Sequence, residues 1–451
     1  MARRIGSQAV VIGAGMAGLT AARAVADYFD RVLVLERDTL PGQPRDRAGV
    51  PQGKHVHALL AGGQRALCEL FPGFNQDLDR VGAVPLRVGL DVRMERPGYD
   101  PFPQRDLGFR SYAMSRSAVE FAVRERLRGC MNVVLEQQCR VVELVARPAG
   151  DRVTGVRVTV NGQADLVDAD LVVDASGRGN LTLNLLQSVG RPRPEETTIG
   201  VDLAYATGIF RIPDDAPADW KGVFTFPNPL ESSRGALLLP LEGARWIVTV
   251  GGRHGDDPPG DPDGFMTYAR ALRTPTICKA IWHAERLDDI ARYRFPESVY
   301  RHYERLERFP LGLLPVGDAV CRFNPVYGQG MSVAAQEAVA VKRLLGELVG
   351  EPDPLERLAP AFFAEAATLI EAPWAGAAIP DFVHPATRGK RPDNFEAFIK
   401  FGAALNKLAS HDPEIHKLTA EVQNLLRPRS AYQDPELVQR VLGVMEGDSR
   451  R

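Results

Sequence analysis

Hydrophobic and polar positions along the chain follow two different registers. Residues 9–12 are an unbroken apolar run with strand propensity, residues 16–28 place Ala, Leu and Val at helical spacing, and residues 31–35 are a second strand-like run. The chain therefore opens as strand, helix, strand. Further on, the pattern predicts a helix over 117–127, strands near Val133 and Val141, a hairpin turning at Asn161-Gly162 and a strand over 170–173. From about 181 to 300 the register changes: 200–211, 222–226, 235–240 and 245–251 are short β-rich pieces between Pro/Gly breaks, the pattern of an antiparallel sheet. The proline-rich stretch 256–262 reads as a surface loop. An apolar strand over 311–316 and a long helix over 331–348 return to the first register. Beyond Glu351 the chain reads as mainly helical, with helices at 394–410 and 413–426.

This order predicts an α/β fold in three parts. A Rossmann-like nucleotide-binding domain is assembled from 1–75, 110–180 and 300–348; it is interrupted by a β-rich substrate-binding domain (76–109 and 181–299) and followed by a helical region, 349–451. No internal repeat or low-complexity tract is present.

The first strand-to-helix turn carries Gly13-Ala14-Gly15-Met16-Ala17-Gly18. Gly13 permits the tight turn, Gly15 lets the backbone approach a pyrophosphate, and Gly18 brings helix and strand together, while the first helical turn at Met16 and Ala17 offers free N–H groups. The second strand then delivers Glu36, followed by Arg37, with Glu36 lying 23 residues past Gly13, where an acidic side chain accepts from a ribose hydroxyl. A carboxylate there repels a 2′-phosphate, so the site suits the adenosine of FAD or NAD and not NADP.

A second motif chooses between them. The strand over 311–316 ends in Gly317-Asp318-Ala319, and Pro325 and Gly328-Gln329-Gly330-Met331 lead into the long helix. Asp318 at a strand's carboxyl end is placed to accept hydrogen bonds from ribityl hydroxyls. The helix opening at Gly330-Met331 turns its positive end to the flavin edge that gains negative charge on reduction. Each element alone is also what an ordinary turn or cap looks like, but together they require FAD, held non-covalently.

With these motifs the chain resembles the group A flavoprotein monooxygenases, the class of p-hydroxybenzoate hydroxylase, aromatic polyketide hydroxylases and squalene epoxidase. The Gly13 turn, the segment Asp174-Ala175-Ser176-Gly177 and the Gly317-Asp318…Pro325…Gly328-Gln329-Gly330 element are similar to that class's three flavin motifs. Within the class, Gly49-Val50-Pro51-Gln52-Gly53-Lys54-His55-Val56-His57, Pro373-Trp374 with Asp381, and Leu425-Leu426-Arg427-Pro428 resemble epoxidases of polyether-ionophore pathways. The resemblance implies a p-hydroxybenzoate-hydroxylase type of FAD domain. It implies NAD(P)H as a transient reductant, O2 as co-substrate and a flavin C4a-hydroperoxide that epoxidises or hydroxylates an apolar polyketide- or terpenoid-like molecule. It also implies that Pro325, Gly328, Gln329 and Gly330 are the peptide groups beside the reacting flavin, and that Arg47, Arg116, Asp174 and Gly177 join the cofactor contacts. The 49–57 loop with His55 and His57 would lie along flavin and substrate.

Composition narrows this little. Fifty-five basic against 57 acidic residues give no reason to expect nucleic acid, and no apolar run is long enough to span a bilayer. Five scattered cysteines without CxxC spacing suit a reducing compartment, and the start Met1-Ala2-Arg3-Arg4 runs almost directly into a strand rather than a leader, so a cytoplasmic enzyme is expected. Two weighings concern single residues. His55 and His57, an i, i+2 pair in extended chain, lack a third ligand at zinc-like spacing, so no metal is expected. Trp374 either walls the substrate pocket or plugs the helical layer, and Cys321 reads as a core cysteine rather than a flavin tether. No second glycine-rich Rossmann turn exists for a nicotinamide nucleotide. Three other readings stay open: a flavin halogenase, although its Gly-Trp-x-Trp-x-Ile-Pro motif is absent and Trp246 stands in Arg245-Trp246-Ile247-Val248; a double-bond reductase of the geranylgeranyl-reductase kind; and a non-catalytic flavin protein.

Overall fold

The structure, a computed structural model, describes residues 4–229 and 231–449; the reading of the start at Met1 to Arg3 lies outside them. Strand Gly6–Ile12 is the centre of a five-stranded parallel sheet in the order Leu313–Pro315, Leu171–Asp174, Gly6–Ile12, Phe29–Leu35, Val133–Glu136. Its apolar run is continuous because both faces are covered. Ala9 and Val11 point to a core shared with helices Met16–Ala26 and Gly330–Leu348, whereas Val10 and Ile12 point to the small sheet of Cys139–Ala146, Val153–Val160 and Gln163–Asp168. The expected hairpin turn is there: Asn161 and Gly162 both have positive φ, the conformation a two-residue turn requires.

The β-rich part is a seven-stranded sheet in the order Cys321–Arg322, Ala291–Arg301, Glu196–Arg211, Arg245–Arg253, Gly235–Leu241, Gly222–Thr225, Val92–Glu95. All pairings are antiparallel except the last. Alternation divides the central strands. Ala206, Phe210, Trp246, Val248 and Val250 pack beneath helices Pro262–Arg270 and Thr276–Ile281, and Leu203, Tyr205 and Phe295 face the other way, toward Ala378 and Phe382.

Helix Pro354–Asp381 was hidden in the sequence by its own internal prolines, Pro360, Pro373 and Pro380. It forms because its face of Leu355, Leu358, Phe362, Phe363 and Ile370 is buried in the same core as the first helix, and packing outweighs the lost backbone bonds. Helices Phe395–His411, Pro413–Gln423 and Pro435–Ser449 gather a separate core around Phe102. The helix expected to reach residue 426 stops at Gln423, and Leu425 has φ +57. The stretch 256–262 lies at the surface, with only Pro258 buried, and Asp256 ties it down by accepting two hydrogen bonds of 2.9 Å from Arg234.

Candidate cofactor and substrate site

Gly13 has φ +96, and a Cβ on Gly18 would sit 1.8 Å from the Gly13 carbonyl oxygen, so turn and close approach both demand glycine. Helix Met16–Ala26 starts at Gly15 with no side-chain cap. Glu36 is 5% exposed and lies beside this turn: the Ala14 N–H donates to Oε2 at 2.8 Å and the Asp38 N–H to Oε1 at 3.0 Å. Arg47 braces the arrangement from inside, reaching Glu36 (3.0 Å), Asp38 (3.0 Å), Glu120 (2.8 Å) and the Ala14 carbonyl (3.1 Å). Its guanidinium is a strut beneath the turn, and Arg37 is exposed beside it. Arg116 opens helix Arg116–Arg128, whose cap is Ser115, leaving the arginine free for other work. It pairs with Glu120 at 3.3 Å, its Nε is buried without a partner, and its field reaches Asp318 and His57.

The second motif meets the first directly. Gly317, at φ +62, packs against Ala17, and its N–H donates to the buried Glu337 at 2.7 Å. Glu337 hangs from helix Gly330–Leu348; burial pushes its carboxyl up to about 7, opposed by that N–H, and its second oxygen has no partner. Asp318 is open to solvent yet walled by protein, as at the bottom of a cleft. Desolvation raises its pKa while Arg322, Arg116, Arg178 and Arg301 oppose the rise, and it accepts no hydrogen bond from the described residues. After the turn Pro325–Tyr327, Gly328 at φ +65 lies so close to Ala58 that a Cβ would come within 2.7 Å of the alanine's. The helix then begins at Gly330 and Met331 without a side-chain cap, and the buried Gln329 has an Oε1 with no partner. Two uncapped helix N-termini and one open carboxylate thus lie close together, with Gly317 against Ala17, and Arg116 near Gly15 and in the field of Asp318. That set fits a dinucleotide whose pyrophosphate and ring carbonyl supply the missing acceptors and whose hydroxyls supply the donors.

Asp174 sits at the end of its strand but turns inward. Ser176 donates to Oδ1 from N–H and hydroxyl (3.1 and 2.6 Å), Thr182 does the same to Oδ2 (3.2 and 2.6 Å), and the residue is 1% exposed. It shapes the loop that carries the open Gly177.

His55 and His57 do not act as a pair. His55 is buried against the front of the large sheet, with Nδ1 2.7 Å from Thr207 Oγ1 and its ring 4.7 Å from Tyr205 and 5.7 Å from Tyr293. The His57 Nδ1–H donates back to the His55 carbonyl at 3.0 Å, and its ring lies in the field of Arg116. Desolvation pushes His55 down to about 3 and His57 to about 4, so both are neutral near pH 7. Trp374 packs on Tyr300 (5.7 Å) and Phe323 (6.5 Å) as part of the helical layer. Cys321 is buried in the core with its thiol pKa raised by desolvation.

Several site residues escaped sequence reasoning. Asp381, quoted only for its resemblance, is a fully buried node: its Oδ1 accepts from Arg253 (2.7 Å), Asn324 (3.0 Å) and Tyr327 (2.8 Å), joining the helical region, the sheet and the Pro325–Tyr327 turn. Thr207 and Thr249 share a 2.6 Å hydrogen bond beneath His55. The available signal was alternation, since Leu203, Tyr205 and Thr207 occupy every second position of the strand Glu196–Arg211. Among the described residues no group of three His, Cys, Asp or Glu is placed to hold a metal, and no helix is long and apolar enough to cross a membrane.

Comparison with known proteins agrees with this architecture. No protein-family model matches the chain. The flavin-dependent brominase Bmp2 superposes with a TM-score of 0.66 at 16% identity, covering 99% of this chain and 100% of that one, so the fold is that of FAD-dependent halogenases and monooxygenases. In sequence, the chain is 27% identical over 390 residues to kynurenine 3-monooxygenase of Salinispora tropica (78% of this chain, 74% of that protein). It is 35% identical over 357 residues to Protein Rv3254 of Mycobacterium tuberculosis (76% and 75%), and it belongs to the family of that protein.

Proposed function

We propose that the chain is a monooxygenase that binds FAD non-covalently and uses NAD(P)H and O2 to epoxidise or hydroxylate an apolar polyketide- or terpenoid-like molecule. The observation that carries the reading is the open Asp318 carboxylate between two uncapped helix N-termini. The first turn at Met16, Ala17 and Gly18 would hold the pyrophosphate, with Glu36 on a ribose hydroxyl. Asp318 would take the ribityl hydroxyls, and Gly328, Gln329, Gly330 and Met331 the polar edge of the flavin. FAD, once reduced, supplies the activation of O2.

The chain's own contribution is enclosure and orientation. The front of the sheet offers the half-buried Tyr293 to an apolar ligand, backed by the buried Leu203, Tyr205 and Phe295, and Val326, 38% exposed, presents an aliphatic side chain from the turn before Gly328. The Asp381 node fixes that turn to the sheet, so that ligand and flavin loop keep one geometry. We assign acid–base work to no titrating side chain: burial lowers His55 to about 3 and His57 to about 4, so neither histidine carries a proton near pH 7. Transient binding of the reductant accords with the lack of a second dinucleotide turn, and five unpaired cysteines accord with the cytoplasm.

The FAD-loaded chain mixed with NAD(P)H and an olefin or phenol panel under 18O2 tests the reading. Label in the product, with reductant oxidation stimulated by substrate, is expected. A saturated product formed under argon would instead mean a double-bond reductase, and bound FAD with neither activity a non-catalytic flavin protein.

A further inference from the structure

The proposed function uses the apolar part of the sheet face and leaves two arginines unexplained. Tyr293 and Phe295 are two residues apart in strand Ala291–Arg301, hence on one face and roughly 6.6 Å apart along it. Each ring carries a guanidinium: Arg178 Cζ lies 5.5 Å from the Tyr293 centroid and Arg322 Cζ 5.4 Å from that of Phe295. The two arrive from unrelated elements, Arg178 from the loop that Asp174 shapes and Arg322 from the edge strand Cys321–Arg322.

Among the described residues neither guanidinium has a carboxylate within hydrogen-bond distance, although Arg322 forms a long ion pair with Glu297. Arg178 donates to the Tyr293 hydroxyl and has no carboxylate at ion-pair distance among the described residues. Arg322 donates to the Glu297 carbonyl at 3.0 Å; its Nε is buried without a partner, and the Glu297 carboxylate stands 3.9 Å away, beyond hydrogen-bond reach. The two guanidiniums repel one another; Glu297 and Asp318 both lie in the field of Arg322, and Asp318 is shared with Arg178, Arg116 and Arg301. The ring contacts and these hydrogen bonds restrain both forks, and the N–H groups not engaged by the Tyr293 hydroxyl and the Glu297 carbonyl are left for a planar or tetrahedral oxyanion.

We infer that Arg178 and Arg322 form an oxyanion subsite for a carboxylate or phosphate of a small molecule, beside the half-buried Tyr293 ring that takes its apolar body. The inference rests on the monooxygenase reading and adds to it a negatively charged group on the substrate or the reductant.

Calorimetric titration of the FAD-loaded chain at pH 7 tests it with three probes: benzoate, its neutral isostere benzamide, and inorganic pyrophosphate. Benzoate is expected to bind at least about tenfold tighter than benzamide, the scale of charge-assisted hydrogen bonds. Arg178→Gln and Arg322→Gln should each weaken benzoate by a similar factor while leaving benzamide and FAD affinity unchanged. Pyrophosphate binding with the same arginine dependence, in place of benzoate, would assign the subsite to a nucleotide phosphate. Equal binding of benzoate and benzamide, binding of neither anion, or variants that lose FAD instead would overturn the inference. A folded chain that takes up no FAD overturns the monooxygenase reading, and the same titrations on that chain still read the anion subsite.

Discussion

The cleft has two walls built on different principles. On the nucleotide side, Gly13 to Gly18 and Glu36 lie within one strand–helix–strand unit, and Gly317 to Met331 within one strand–helix connection. Recognition there rests on backbone: helix N-termini, a tight turn and a single open carboxylate. On the sheet side, His55, Thr207, Thr249, Arg253 and Asp381 come from four separate segments and act through side chains bonded to one another. The nucleotide wall is left with unused donors and acceptors, whereas the His55–Thr207–Thr249 and Arg253–Asp381 groups of the sheet wall are satisfied among themselves. A wall of the first kind is made to bind something polar and constant. The second holds shape for something apolar.

If that contrast is right, the two aspartates respond oppositely. Asp381→Ala should have the largest effect on the fold, since it leaves Arg253, 7% exposed, as an unpaired buried charge. A loss of about 3–5 kcal/mol in urea unfolding is expected, and a loss under about 1 kcal/mol would mean that the node is not load-sharing. Glu337→Gln keeps an acceptor for the Gly317 N–H and removes a buried acid. With a folded pKa of about 7, above the ordinary 4.5, the native state holds the extra proton, so this group's stabilisation is complete below pH 4.5 and is lost as pH rises through 7. The variant should gain up to about 3 kcal/mol over the native chain at pH 8 and little at pH 4; a pH-independent difference would contradict the assignment.

Asp318→Ala should do the reverse of Asp381→Ala. Having no hydrogen bond inside the protein, it should leave unfolding nearly unchanged but weaken FAD by about 1.5–3 kcal/mol in a fluorescence titration. Unchanged FAD affinity would reduce Asp318 to a turn residue. The smallest effect belongs to His55→Ala and His57→Ala, which should release peroxide and uncouple NAD(P)H oxidation while slowing stopped-flow oxygen transfer by less than about 10²-fold, the lower limit for a lost general base. A larger slowing in either variant would show acid–base work by that histidine.

The same contrast explains what could be read from the sequence. The parallel sheet, the Gly13 turn and the Gly330 helix were legible because their signals are local: an apolar run, a glycine at a strand end, an acid at fixed spacing. The antiparallel pieces were legible as strands, but not their order, since partners such as Val299 and Arg322 are set by tertiary packing. Asp174 and Arg47 show the limit within the nucleotide wall itself. A charged residue at a strand end or loop reads as a ligand contact, and its internal partners are not legible: Asp174 accepts from Ser176 and Thr182, and Arg47 braces Glu36, Asp38 and Glu120. Asp381 lay hidden for another reason, since it ends a helix whose internal prolines disguise it.

The central claim is that the cleft between the two uncapped helices holds FAD without a covalent bond. Titrating the purified, folded chain with FAD, then denaturing it and separating protein from supernatant, tests this most directly. The account predicts saturable, equimolar uptake, weakened in Asp318→Ala, with all yellow colour released to the supernatant. A folded chain that takes up no FAD, or colour that stays with the denatured protein, would contradict it.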